Sequence, residues 1–127
     1  MKIFILKRII LLAITFAIIV AAYWSVMQDV KKLNDDDVFI CVDTVRECKV
    51  YVTPDTFTAT GKNSFDVTVK KFYYNKLVVT EEKFSFWQDG DTIFYRIDDS
   101  DKNFKVADDN SAKEIWNYGI KFLKANS

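Results

Sequence analysis

The two thiols of this sequence, Cys41 and Cys48, sit in VFICVDTVRECKVYV, where two strand-like stretches flank a short turn. A hairpin centred between Thr44 and Val45 sets Cys41 directly opposite Cys48. Opposite residues in a non-hydrogen-bonded pair come within disulfide reach. The spacing therefore predicts a disulfide between Cys41 and Cys48, whose small loop contributes about 2–3 kcal/mol. The spacing is not CxxC, so a structural bridge is expected in place of a redox centre. Two thiols without histidine do not build a zinc site, and neither a metal nor another cofactor is expected.

The chain has no histidine. Ser-His and Cys-His catalysis, histidine metal ligation and a histidine pH switch are therefore excluded. Carboxylates are plentiful, but Asp43, Asp55, Asp66, Glu81, Glu82, Asp89 and Asp91 fall mostly in turns or at outward strand positions. Solvated charge accounts for them better than a paired-carboxylate hydrolase does. Asp99-x-Asp101-x-Asn103 begins like a calcium-binding EF-hand loop. Phe104, however, stands where the turn needs glycine, and Asn110 stands where the bidentate glutamate belongs. There is no glycine-rich phosphate loop and no nucleophile elbow. A non-enzymatic protein is the expectation. Lys+Arg and Asp+Glu both total 18, so no basic excess points to nucleic acid as a partner.

Aromatic residues are the unusual feature. Phe72-Tyr73-Tyr74 and Phe84-Ser85-Phe86-Trp87 put rings on both faces of their strands. One face is core. The other is either a second core beneath a helix or an exposed contact surface. Tyr73, Trp87 and Phe94 are the candidates for a partner or ligand surface. Lys70-Lys71 beside Phe72 is a weak signal for lipid headgroups.

The N-terminal segment positions all of this. In residues 9–27 only Thr15 and Ser25 are not apolar, and 19 residues suffice to cross ~30 Å of hydrocarbon. Lys2, Lys7 and Arg8 precede the run, which places the N-terminus in the cytoplasm and exports everything after Met27. Tyr23 and Trp24 suit the far headgroup layer. The alternative is a signal peptide cleaved after Ala22, leaving a secreted or periplasmic protein. The apolar run continues through Tyr23, Trp24, Val26 and Met27 without a polar region before that site, which favours a retained anchor over residues 1–27. Residues 28–127 carry 15 positive and 18 negative side chains, against three positive and none negative before them.

Residues 28–37, QDVKKLNDDD, read as a polar linker, and residues 38–127 as the exported domain. Strand patterns flank the cysteine turn, and Pro54-Asp55 breaks the ladder before TFTAT at residues 56–60. Phe65, Val67 and Val69 alternate toward a core. Asp89-Gly90 predicts a tight hairpin with Phe86 opposite Ile93 and Phe84 opposite Tyr95. A short strand over residues 103–106 follows. The period then becomes helical over residues 111–125, with Ser111 and Glu114 as a capping box and Ala112, Ile115, Trp116, Gly119, Phe122 and Leu123 on one face.

The expected fold is α+β. It has one N-terminal transmembrane helix, then a curved, mainly antiparallel sheet of about seven or eight short strands, closed by a C-terminal amphipathic helix. The expected function is a non-enzymatic, single-pass domain anchored through residues 9–27 in the inner membrane. There it binds a membrane or envelope protein, in an accessory or an interfering role. The alternative is a carrier of a small apolar or lipid ligand in an aromatic-lined pocket.

Overall fold

The computed structural model describes the backbone of residues 2–30 and 32–126 and the side chains of residues 5–24 and 32–126. An N-terminal helix, α1 (Lys2–Val30), leads into six strands and a C-terminal helix. The strands are β1 (Val38–Asp43), β2 (Cys48–Gly61), β3 (Ser64–Tyr73), β4 (Val78–Asp89), β5 (Thr92–Ile97) and β6 (Phe104–Lys105). They form one antiparallel meander in chain order that curls into a half-barrel. A 3₁₀ turn (Val106–Asp108) precedes the closing helix α2 (Asn110–Ala125). Within α1, Ile5–Trp24 is long and apolar enough to cross a membrane, and none of it is buried against the rest of the chain.

Six strands replace the expected seven or eight because β4 runs unbroken from Val78 to Asp89 and Pro54 does not end β2. The register of β2 on β3 shifts between Thr53 and Thr58, so Pro54 sits in an irregular stretch that asks for no ladder hydrogen bond. Thr56 stands in for the missing partner. Its hydroxyl accepts from the Thr68 amide at 2.8 Å and donates to the Thr53 carbonyl at 2.7 Å.

Alternation assigns the two faces of the sheet. Val50 and Val52 of β2, Phe65, Val67 and Val69 of β3, Phe84 and Phe86 of β4, and Tyr95 of β5 are buried on the inner face, the one α2 covers. Phe65 stacks between Phe86 at 5.0 Å and Trp116 at 5.5 Å. The buried stripe of α2 is Ala112, Ile115, Trp116 and Gly119, as its spacing predicts, with Phe122 and Leu123 half-buried. Gly119 is required by contact. A Cβ there would lie 2.3 Å from Phe65 Cζ, and that ring is locked in the stack.

Two hairpin registers differ from expectation. Across β4 and β5, Phe86 faces Tyr95, Trp87 faces Phe94 and Phe84 faces Ile97. Asp89 pairs with Thr92, so the turn's central residues are Gly90 and Asp91, and only Gly90 has positive φ, at 63°. That matches a turn with glycine first, not second. A shift of two leaves every side chain on its expected face.

The same slip removes the expected disulfide. The β1–β2 turn spans residues 44–47, with Glu47 left-handed at φ 57°. Asp43 therefore faces Cys48, and Cys41 faces Val50. The thiols are diagonal neighbours and not the facing pair that a cross-strand disulfide uses. Both are free, Cys48 buried and Cys41 half-buried.

Candidate functional site

The sequence-predicted surface residues do not converge. Trp87 and Phe94 are cross-strand partners on the outer face of β4 and β5, half-buried and stacked at 5.8 Å. The Arg96 guanidinium lies 5.3 Å from the Trp87 ring centroid and donates from Nε and Nη2 to Asn103 Oδ1. Tyr73 lies on the inner face at the opposite end of the sheet, beside Cys48. Burial pushes its phenol up from its ordinary value. Trp87, Phe94 and Arg96 thus form one outer-face patch, and Tyr73 belongs to the rim of the core.

Sequence reasoning missed the main polar cluster, at the N-terminus of α2. Asp109 caps that helix, Oδ1 accepting from the Ser111 and Ala112 amides at 2.9 and 3.2 Å. Ser111, the expected cap, instead donates its hydroxyl to Asp43 Oδ2 at 3.1 Å, and Cys41 Sγ donates to Ser111 Oγ at 3.8 Å. Arg46 spans the two acids, with Nη1 2.6 Å from Asp43 Oδ2 and Nη2 2.6 Å from Asp109 Oδ2. The Tyr95 hydroxyl donates to Asp109 Oδ2 at 3.3 Å. No local signal announces this cluster, because Arg46 and Asp109 are 63 residues apart.

Electrostatics define what these groups do. Burial raises the Asp43 and Asp109 carboxyls, but the hydrogen bonds and charge of Arg46, with the Ser111 hydroxyl or the Ala112 amide, outweigh it and hold both below the usual range. Their hydrogen bonds raise the Arg46 guanidinium further above neutrality. Burial and the Asp109 charge push Tyr95 up to about 12. Burial also raises the Cys41 thiol. Every member is driven into the form it already holds at neutral pH, the reverse of what proton transfer or thiolate attack needs. Arg46 is a clasp joining the β1–β2 turn to α2. Open clefts of about 540 and 490 Å³ flank it. A third cavity of about 450 Å³ lies between α2 and the β5–β6 side, lined in part by Ile93, Val106 and Trp116. None of the three includes Tyr73, Trp87 or Phe94.

A second polar cluster ties residues 32–37 to the outer face. Lys70 Nζ lies 3.0 Å from Asp37 Oδ2 and donates to the Lys32 carbonyl at 2.6 Å. Asp37 also accepts from the Asn34 amide and from the Thr53 hydroxyl, both at 2.8 Å. Burial raises the Asp37 carboxyl, and these bonds together lower it below its ordinary value. Lys71 is buried on the inner face, 5.2 Å from the Phe84 ring centroid and 3.9 Å from Glu82. Neither lysine reaches out to headgroups. In the acidic loop, Asp98 accepts from the Lys83 amide and Asn103 from Arg96. No metal-binding cluster occurs among the described residues.

Compared with known families, with curated proteins and with solved structures, the chain finds no match.

Proposed function

We propose that this chain is a single-pass, membrane-anchored, non-enzymatic domain that binds a protein partner at the membrane. α1 is the retained anchor, the N-terminus is cytoplasmic, and residues 38–127 face the periplasm. The observation that carries the reading is the patch of Trp87, Phe94 and Arg96. Two stacked rings, partly exposed on the outer sheet face with a guanidinium over Trp87, have the composition of an interface hot spot. The ligand-carrier reading loses ground because α2 and stacked rings occupy most of the inner face, and the cavity left beside Trp116 is open and lined partly by Asp91, Lys105 and Lys113.

A benzophenone photo-crosslinker at Phe94, in native membranes, tests this reading. The expected product is one discrete adduct with another protein, lost when Trp87→Ala and Arg96→Ala are added. An equal adduct pattern from the exposed α2 position Lys121, or no adduct at Phe94, overturns it.

A further inference from the structure

We infer that the β1–β2 and β3–β4 turns form a second membrane contact, inserting apolar side chains into the headgroup layer beside α1. This rests on the reading of α1 as a retained anchor. The two turns lie side by side at one end of the sheet, where Cys48 faces Tyr73 and the Asn75 amide donates to Glu47. They carry Val45, 91% exposed, with Tyr74, Leu77 and Val78 also exposed. The turns at the opposite end are Lys62-Asn63 and Gly90-Asp91, with no apolar side chain to offer. Leu77 holds φ 53°, a left-handed turn position that glycine or asparagine fills at less cost. An exposed, strained leucine is poorly explained by folding alone.

The path of the chain sets which end faces the bilayer. Along the outer face of β4, Val79 is 1% exposed while Glu81 and Lys83 are exposed. α1 contacts β4, and the burial of Val79 points to the end of β4 next to the apolar turn as the place. The chain then runs away from that turn, since the Lys32 carbonyl is held by Lys70, opposite Glu81. Entering from the turn side, α1 brings residues 74–77 to the bilayer first, about 13 Å ahead of Lys70 at strand rise. Tyr74 suits the interface, and exposed Lys49 and Lys76 flank the turns within reach of lipid phosphates. A domain held at the helix and at two turns has one orientation. Its Trp87 patch then lies toward the end far from the bilayer, free for a partner.

The test uses the full chain in nanodiscs of phosphatidylethanolamine and phosphatidylglycerol. A benzophenone photo-crosslinker is placed singly at Ile14, Val45, Leu77 or Lys62, and lipid adducts are read by intact mass. Adducts at Ile14, Val45 and Leu77, with none above background at Lys62, are expected. Adducts at Ile14 without any at Val45 and Leu77 overturn the turn contact and leave the anchor standing. No adduct at Ile14 overturns the anchor, and the turn contact with it. Crosslinks from Val45 and Leu77 to a second copy of the chain assign the surface to self-association instead and also overturn the proposal.

Discussion

Two carboxylate networks join a terminal helix to the sheet, and they differ in how much water they keep. On the outer face, Lys70 and Asp37 pair with side chains 5% and 1% exposed. At the rim of the inner face, Arg46 clasps Asp43 and Asp109 but is itself 45% exposed. The first pair has no solvent to fall back on if one partner is lost, whereas the arginine does. Residues 32–37 are therefore a fastened strap and not a free tether, while the α2 clasp tunes a junction that apolar packing already secures.

Acid acts on both networks at once and has the largest expected effect. Asp37, Asp43 and Asp109 all have folded values below that of an unfolded aspartate, about 3.9. Their contribution is fully present above that value and is lost as pH falls through the depressed folded values. A circular-dichroism titration of the full chain in detergent should show tertiary signal stable down to about pH 4 and failing below it. A transition centred near neutrality would contradict these assignments.

Single substitutions separate the two. Lys70→Ala strands the buried Asp37 carboxylate and should cost about 3–5 kcal/mol, measured by urea unfolding. Replacing both partners with apolar residues, Lys70→Met with Asp37→Leu, should recover most of that loss. If the single variant costs no more than a surface pair, the strap is solvated and the contrast fails. Asp109→Ala removes the cap of α2 and one Arg46 partner, for about 1–2 kcal/mol. Arg46→Ala leaves Asp43 and Asp109, 6% and 14% exposed, to the Ser111 and Tyr95 hydroxyls and the α2 amides, and should also cost about 1–2 kcal/mol, below the Lys70 variant.

Faces were legible in the sequence, and partners were not. Alternation names Phe65, Val67 and Val69 as core, and helical spacing names Ala112, Ile115, Trp116 and Gly119, because burial acts on each element separately. Strand period is two, so a slip of two residues keeps every face and changes every partner. That is why the pattern marks Trp87 as a surface candidate but not its direct stacking on Phe94. It is also why the strand pattern alone sets the cysteines opposite each other, when a four-residue turn with left-handed Glu47 sets them diagonal. The strap was invisible for another reason. Asp37 stands in an acidic run that reads as solvated, and its partner lies 33 residues away. Ser111 and Asp109 are both good caps, and the choice fell to Asp109 because Asp43 takes the serine hydroxyl.

The most direct measurement is a peptide map with intact mass, made on the chain from spheroplasts treated with a membrane-impermeant amine label. The expected result is a full-length chain labelled at the exposed Lys62, Lys113 and Lys121, with Lys7 untouched. A chain beginning at Tyr23, or label on Lys7 with none on the domain, would contradict an anchored domain facing outward.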